Sequence, residues 1–320
     1  MKPLLEVKNL KKYFSTPAGQ LHAVDDVTFN ILPGETLGVV GESGCGKSTL
    51  GRVILNLLPA TDGEIYFEDE PIVGVKRDKL MQLRRNIQII FQDPFSSLDP
   101  RMTVSELISE PLETFKIYKS KSERIKKVES LMDTVGLAAR LYNTYPHELD
   151  GGRRQRIGIA RALALDPKFI VCDEPVSALD VSIQAQILNL MQDIQAEKGL
   201  TYIFITHNLS VVKHISNDIL VMYLGKMMEK SEAEDLFNNT LHPYSKALLS
   251  AIPDPSIDNR RKRILLKGEL TSPINPKPGC RFAVRCPYAK QQCFEVEPEL
   301  EEVLPKHFVA CHLTREINQL

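Results

Sequence analysis

Short apolar runs alternate with amphipathic stretches along roughly the first 250 residues of the chain. Five runs have the length and composition of fully buried strands: "TLGVVG" from Thr36, "IQIIF" from Ile87, "KFIVCD" from Lys168, "TYIFIT" from Thr201 and "DILVMYL" from Asp218. The earlier runs "LLEVKNL" and "LHAVDDVTFNIL" alternate more regularly, which predicts an antiparallel flank. The pattern as a whole predicts an α/β fold with helices covering a parallel or mixed sheet.

The pattern changes twice along the chain. Between Asp93 and Asp166 it becomes helical and charged, without a convincing strand, which predicts a helical subdomain over about residues 93–166. From about Ala251 the chain is rich in proline, charge and cysteine, as in "IPDPSIDNRRKR", which favours a linker and a small irregular module. We therefore expect one domain over residues 1–250 and a cysteine-rich module over residues 251–320.

Composition narrows the classes of function. The 320 residues are 43% apolar, and 40 basic residues face 41 acidic ones, so no overall field attracts nucleic acid or an anionic membrane. No signal peptide or membrane-spanning run is evident, which predicts a cytoplasmic protein. In that reducing compartment the six cysteines are expected to be ligands, reactive thiols or small core residues.

A phosphate-binding motif follows the first buried run. "GESGCGKST" fits G-x-x-x-x-G-K-[ST] between a strand and an amphipathic helix, the context that the motif requires. Backbone N–H groups and the helix N-terminus would hold the phosphates of ATP, Lys47 would reach the terminal phosphates, and Ser48 would bind Mg²⁺. The residues expected to bind the nucleotide are Gly41, Glu42, Ser43, Gly44, Cys45, Gly46, Lys47, Ser48 and Thr49.

Two adjacent acids end a later strand. "FIVCDEP" places Asp173 and Glu174 at the carboxyl end of an apolar run, where open α/β sheets present their chemistry. Asp173 is expected to hold the metal. Glu174 is expected to polarise the attacking water as general base, a role that contributes about 10²- to 10⁴-fold to a rate.

With these motifs in place, residues 4 to about 250 resemble the nucleotide-binding subunits of ABC transporters, which have a P-loop NTPase fold. Gln92 in "FQDP", "SALD" at residues 177–180 and His207 after "TYIFIT" match the family's motifs in order. The resemblance implies that Gln92 contacts Mg²⁺ and couples nucleotide state to the membrane partner. It also implies that His207 contacts the γ-phosphate and that Tyr13 stacks on adenine.

More narrowly, the chain looks like the second ATPase subunit of oligopeptide and dipeptide importers. "QIIFQDPFSSLDPRMTV" and "LHPYSKALLSAIPDP" carry this likeness. It implies a sister ATPase, two transmembrane permease subunits, an external solute-binding protein, and a place on the cytoplasmic face of the membrane. A nickel importer of the same family stays open, as does a soluble ABC ATPase that acts on ribosomes or DNA.

The family's signature is altered in "HELDGGRRQR". Asp150 stands where the family has serine and Arg153 where it has glutamine, while Gly151 and Gly152 are kept. An ionised Asp150 cannot donate to a γ-phosphate, and a like charge about 4 Å away costs on the order of 4 kcal/mol at an effective dielectric near 20. Arg153 balances that charge at pairing distance along a helix. We expect an altered site on the partner's ATP and a heterodimer as the working form.

Four cysteines lie in the last segment. Cys280, Cys286, Cys293 and Cys311 are spaced C-x5-C-x6-C-x17-C, which lacks the tight knuckles of zinc sites and favours an iron–sulfur cluster. Zinc, with His307 or His312 taking part, and plain thiols stay open. The resemblance adds that importer ATPases of this type can bind a [4Fe-4S] cluster.

Overall fold

Strands and helices alternate along most of the chain. The computed structural model describes residues 2–252, 263–266, 268 and 272–320. The strands in these residues are β1 (Leu5–Thr16), β2 (Gly19–Ile31), β3 (Thr36–Val40), β4 (Asp62–Phe67), β5 (Glu70–Pro71), β6 (Ile87–Ile90), β7 (Phe169–Asp173), β8 (Thr201–Ile205), β9 (Asp218–Tyr223), β10 (Lys226–Glu232), β11 (Glu301–Leu304) and β12 (His307–Val309). The α-helices are α1 (Lys47–Ile54), α2 (Arg77–Asn86), α3 (Val104–Thr114), α4 (Lys121–Thr134), α5 (Gly151–Leu163), α6 (Val181–Lys198), α7 (Leu209–Ile215), α8 (Ala233–Asn238), α9 (Pro243–Ser250), α10 (Gln291–Glu295) and α11 (Thr314–Asn318).

The chain divides into two compact units. The first comprises Met1–Ile31, Thr36–Val73 and Ile205–Leu320, and the second comprises Leu32–Glu35 and Gly74–Phe204. The first unit therefore includes the C-terminal residues. In the part of the chain that the structure describes, no helix has the length and apolar character needed to cross a membrane.

The first unit contains an antiparallel sheet with strand order β2-β1-β4-β5. β1 and β2 form a hairpin in which Ser15 lies opposite Gln20, and β1 also pairs with β4. The predicted antiparallel flank is confirmed. Sequence analysis missed β4, although "DGEIYF" does alternate in burial along its second half.

A second group of strands in the first unit has the order β11-β12-β10-β9-β3. β3 runs parallel to β9, and all five residues of β3 are buried, as expected for a central strand. Helices α7, α8 and α9 supply apolar side chains to one core cluster with β9, and Phe282 from the C-terminal segment completes it. Val40, the last residue of β3, belongs to this core. The core therefore lies next to the loop that follows β3.

The tail, which here means residues 272–320, is more regular than the irregular module that the sequence predicted. β11 and β12 form an antiparallel pair, and β12 pairs with β10 through Glu229 opposite Val309. The correction has a physical reason: an exposed strand edge supplies backbone partners that a short hairpin cannot find alone. The predicted linker falls mostly on residues 253–262, which lie outside the described residues.

The second unit contains three strands in the order β8-β7-β6, with β6 and β7 parallel. Its helices include α3, whose N-cap Thr103 forms a capping box with Glu106, and α6, which has Asp180 as its N-cap and the left-handed Gly199 as its C-cap. Every residue from 93 to 166 is described and none lies in a strand. The predicted helical insertion is thus confirmed, and all five predicted strands are present, although β6 is buried only at Ile87 and Ile90.

Candidate functional site

The phosphate loop (Gly41–Thr49) leads from β3 into α1. Gly46 is the N-cap of α1, with φ of 106°, and Gly41 has φ of 154°. A Cβ atom at Gly46 would lie 1.9 Å from the carbonyl oxygen of Ala23, and one at Gly41 would lie 2.2 Å from that of Met222. Both positions therefore require glycine, for backbone conformation and for space. The exposed turn between them consists of Ser43 and Gly44.

Lys47 is folded over the loop and is only 4% exposed. Its Nζ donates to the carbonyl oxygens of Gly41 at 2.7 Å and Glu42 at 3.0 Å. Ser48 and Thr49 follow it in the first turn of α1. The ammonium group therefore lies within the curl of the loop, where the motif requires positive charge.

Cys45 fills a small slot beneath the loop. Its side chain is 1% exposed, and burial raises the pKa of its thiol despite the opposing charge of Lys47. The helix terminus and Lys47 do not activate this thiol, because desolvation outweighs the positive neighbour. The alternative expectation of a core cysteine is confirmed here and also for Cys172, which is buried in β7.

Tyr13 is held by partners that sequence analysis did not identify. Its ring stacks on His22 with centroids 3.8 Å apart, and its hydroxyl donates to Asp25. Nδ1 of His22 lies 3.0 Å from the same carboxylate. Burial alone would raise the pKa of Asp25, but the hydrogen bonds from Tyr13 and His22 outweigh it and lower that pKa. The sequence offers one signal for His22 and Asp25. Both lie on β2 close to Ala23, whose carbonyl packs against the phosphate loop.

His207 is exposed between the end of β8 and the start of α7. The residues on either side are fixed: the Thr206 amide donates to the Val39 carbonyl at 3.1 Å, and Asn208 caps α7 by accepting from the Ser210 and Val211 amides. His207 therefore projects from a rigid turn at the carboxyl end of a strand.

In the second unit, Gln92 and Glu174 contact each other although they lie 82 residues apart. Nε2 of Gln92 donates to Oε2 of Glu174 at 3.1 Å. Glu174 has φ of 48°, a left-handed conformation that non-glycine residues rarely adopt. Its carbonyl accepts from the amide and hydroxyl of Ser177, at 3.2 and 3.0 Å. The preceding residue, Asp173, is buried at the end of β7.

The altered signature opens helix α5. Asp150 is its N-cap, and Oδ1 accepts the Arg153 amide at 2.8 Å. The predicted pairing of the two side chains is confirmed, since Arg153 Nη1 lies 3.2 Å from Asp150 Oδ2. Gly151 and Gly152 occupy the first turn against the 177–180 segment and α6, where a Cβ at Gly152 would lie 2.8 Å from Ile183.

Three of the four tail cysteines lie around a small apolar centre at Ala283. Cys293 packs with Ala283 and Leu313, and Cys280 and Cys311 contact the same cluster. Cys286 packs against the neighbouring core beside Cys280. The Cys280 amide donates to the Cys293 carbonyl at 2.8 Å. Burial raises the pKa of the Cys280 thiol to about 12, and the other three thiols act in the same direction.

No group of three or more histidine, cysteine, aspartate or glutamate side chains in the described ranges is arranged to hold a metal ion. His307 is committed elsewhere, because its ring nitrogens lie 2.7 Å from Glu229 and 2.6 Å from Asp235. Nε2 of His312 lies 2.9 Å from the Val296 carbonyl. The histidines proposed as zinc ligands are therefore engaged with other partners. The expected magnesium donors Ser48, Gln92 and Asp173 are oxygen donors of the type that Mg²⁺ prefers.

Two family models match the chain. The model described as "ABC transporter" matches residues 24–177, and the one described as "Oligopeptide/dipeptide transporter, C-terminal region" matches residues 228–293. The chain is 54% identical to the putative oligopeptide transport ATP-binding protein YkfD of Bacillus subtilis, over 98% of this chain and 96% of that protein. It is 52% identical to the oligopeptide transport ATP-binding protein OppF of Salmonella typhimurium, over 97% and 93%.

Solved structures agree with this assignment. The dimeric post-hydrolysis state of the ATP-binding cassette MJ0796, bound to ADP and Pi, is 32% identical with a TM-score of 0.65, covering 72% of this chain and 98% of that one. CbiO1 of Clostridium perfringens, part of the ABC transporter complex cbiONQ, is 29% identical with a TM-score of 0.67, covering 75% and 92%. A phosphate loop, a strand-end acid pair and a capped signature helix occur in a chain with these relatives. The chain therefore belongs to the ATP-binding subunits of oligopeptide ABC transporters.

Proposed function

We propose that this chain hydrolyses ATP to power the import of di- and oligopeptides. The observation that carries the proposal is the phosphate loop, in which Lys47 lies over the carbonyls of Gly41 and Glu42 at the N-terminus of α1. Such a loop holds a triphosphate through backbone N–H groups and a lysine. The names of its relatives support peptide as the transported class.

Each predicted site residue has a role in this reaction. Tyr13 stacks on adenine, Ser48, Gln92 and Asp173 bind Mg²⁺, and His207 contacts the γ-phosphate. Glu174 takes the proton of the attacking water, and its contact with Gln92 supports this role because it orients the carboxylate. Magnesium supplies charge neutralisation on the phosphate oxygens.

The chain works on the cytoplasmic face of the membrane with a sister ATPase, two permease subunits and, indirectly, an external solute-binding protein. The altered signature favours a heterodimer, because two copies of this chain would carry Asp150 at both ATP sites. Its pairing with Arg153 supports a signature that is modified yet still able to close, since the two charges offset each other. Equal ATP turnover per site for this chain alone and with its sister would remove the heterodimer argument.

The four tail cysteines form the proposed site of a [4Fe-4S] cluster. Cys280, Cys293 and Cys311 meet around Ala283 from separate segments, and Cys286 packs beside Cys280; this supports a group that needs spread thiolates. The wide C-x5-C-x6-C-x17-C spacing, which lacks the tight knuckles of zinc sites, disfavours a single zinc ion. Iron content and thiolate-to-iron absorbance of the purified chain test this, with Cys286→Ser expected to abolish both. Cys172→Ala, at a buried cysteine of β7, is the matched control.

The test of function is co-purification followed by uptake. The chain should co-purify with a multi-span permease, and a strain lacking it should lose uptake of labelled dipeptides and regain it with the wild-type gene but not with Glu174→Gln. Loss of nickel uptake with normal peptide uptake would point to the nickel alternative. Association with ribosomes or DNA and no permease would overturn the transport proposal.

A further inference from the structure

An arginine beside the cysteines reaches the phosphate loop. Nη1 of Arg285 donates to Oε2 of Glu42 at 2.7 Å and to the Tyr223 hydroxyl at 3.3 Å. The side chains of Arg285 and Glu42 are 10% and 27% exposed, so the pair is partly shielded from solvent. Charge-assisted hydrogen bonds in such surroundings are stronger than exposed ion pairs. Arg285 directly precedes Cys286. A single side chain therefore connects the cysteine-bearing tail to the phosphate loop.

A second arginine reaches the carboxylate that holds Tyr13. Nη2 of Arg281 donates to Oδ2 of Asp25 at 2.5 Å, and the two side chains are 7% and 9% exposed. Asp25 accepts the Tyr13 hydroxyl on its other oxygen. Arg281 directly follows Cys280. The tail therefore also fixes the side chain expected to meet adenine.

Between the two arginines, Phe282 is inserted into an aromatic cluster. Its ring lies edge-on to Tyr223, with centroids 5.4 Å apart, and 5.3 Å from Tyr244. The Tyr244 hydroxyl accepts the amide N–H of Glu42 at 3.0 Å. The backbone of Glu42 is thus held by Tyr244, against which the tail packs. The side chain of Glu42 is held by Arg285, which belongs to the tail.

Some N–H groups of these two guanidinium groups make no hydrogen bond within the part of the chain that the structure describes. Nε and Nη1 of Arg281 and Nε of Arg285 are buried and have no hydrogen-bond partner among the described residues. A buried donor without a hydrogen-bond partner lowers the stability of the folded state. Packing alone is therefore a poor explanation for two arginines at these positions. Their placement is better explained by the carboxylates that they hold.

We propose that Arg281 and Arg285 are positioning residues through which the docked tail sets the affinity of this chain for ATP. The proposal rests on the proposed function, because it takes Tyr13 and the phosphate loop as the nucleotide site. Undocking the tail frees Glu42 and Asp25, and with them the loop and the adenine-stacking tyrosine. Because coupling between two sites is reciprocal, bound ATP must also stabilise the docked tail.

The first experiment measures ATP binding by the full chain in the presence of Mg²⁺. Arg285→Ala and Arg281→Ala should each weaken binding by about 5-fold or more, the lower end of typical coupling, and should raise KM more than they lower kcat. Arg285→Lys should recover part of the loss because it keeps a positive charge. The matched control is Lys290→Ala, which breaks an exposed tail pair with Glu316 and should leave binding unchanged.

The second experiment needs no variant. ATP added to the wild-type chain should slow amide hydrogen exchange in residues 280–286, and it should do so less in α4, which lies in the other unit. Unchanged exchange in that segment, or wild-type affinity in both arginine variants, overturns the inference. Failure of the wild-type chain to bind ATP instead overturns the proposed function, so the two failures are distinguishable.

Discussion

The carboxylate of Asp150 caps the same helix turn that carries its ion-pair partner, Arg153. One oxygen accepts the Arg153 amide at 2.8 Å, and the other lies 3.2 Å from the Arg153 guanidinium. Both side chains are exposed, so the pair contributes little to stability by itself. The contacts with Arg153 hold the Asp150 carboxylate against the first turn of α5. Its negative charge therefore repels a nearby phosphate less.

Restoring the family's signature should raise ATP turnover. Asp150→Ser with Arg153→Gln provides a hydroxyl donor and removes the like charge from the phosphate's surroundings. In a homodimer, where both sites use this signature, we expect an increase of about tenfold or more, which corresponds to about 1.4 kcal/mol. Phosphate release by the chain alone measures it. Asp150→Asn with Arg153→Gln lacks the hydroxyl and should respond less; an equal response would contradict the hydroxyl argument.

Removing the cap should destabilise α5. Asp150→Ala deletes the acceptor of the Arg153 amide and should lower the free energy of unfolding by about 1 kcal/mol. Urea unfolding followed by circular dichroism measures this. Asp150→Asn keeps an acceptor of similar capping strength, so its unfolding free energy should stay within a few tenths of a kcal/mol of wild type. Equal losses in both variants would mean that the charge, not the cap, is what matters.

Glu174→Gln should abolish hydrolysis while keeping ATP bound. The amide cannot take a proton from water, so turnover should fall by about 10²- to 10⁴-fold, with binding unchanged. Gln92→Ala removes the group that orients Glu174 and a proposed Mg²⁺ ligand but leaves the base in place, so it should cost less. Single-turnover assays with labelled ATP separate the two steps. Turnover near the wild-type rate in Glu174→Gln would show that another group is the base.

Gly46→Ala should disrupt the phosphate loop. The new Cβ would lie 1.9 Å from the Ala23 carbonyl, at a φ of 106°. We expect loss of ATP binding, detected by a fluorescent nucleotide. Gly199→Ala is the control: it has φ of 63° and open space around it, so only backbone strain of about 1 kcal/mol is added. Retained binding in Gly46→Ala would disprove the close packing of loop and β2.

Docking of the tail should weaken as the pH rises above 6.5. Burial lowers the pKa of His307, but the hydrogen bonds that its ring donates to Glu229 and Asp235, together with their charges, outweigh it and raise that pKa above 6.5. The stabilisation is therefore fully present below pH 6.5 and is lost as the pH rises through the raised folded value. His242, whose pKa burial lowers to about 4, affects stability only below pH 6.5.

Unfolding free energies between pH 6.5 and about 8, below the ordinary range of cysteine titration, test this. The wild-type value should fall with pH across that window. His307→Gln should flatten the slope, and His312→Gln, on the same tail, should leave it in place. A slope that survives in His307→Gln would assign the pH dependence to another group.

The sequence predicts most of the strand framework and the motifs, because both rest on local patterns. Buried strands such as β3 are continuous apolar runs, and the phosphate loop is defined by glycines whose spacing reflects backbone geometry. The pairing of Asp150 with Arg153 was also predictable, since residues three apart meet on a helix. These features need no knowledge of distant contacts.

What the sequence missed depends on contacts between distant segments. Nothing local in "LHAVDD" indicates that His22 stacks on Tyr13 or that Arg281, more than 250 positions later, reaches Asp25. Spacing also cannot reveal that burial of Cys45 outweighs the neighbouring lysine and raises the pKa of its thiol. The β11–β12 pair was missed because its strands are short and β12 finds a further partner only in β10, a distant segment.

That pairing has a consequence for the solution behaviour of shortened chains. With β12 in place, the outermost strand of this group is β11, whose exposed Glu301 and Glu302 discourage another chain from adding to it. A chain ending at residue 252 would instead present the bare hydrogen-bonding groups of β10, which is rich in methionine, as a template for intermolecular association. Aggregation of such a truncated protein is therefore to be expected.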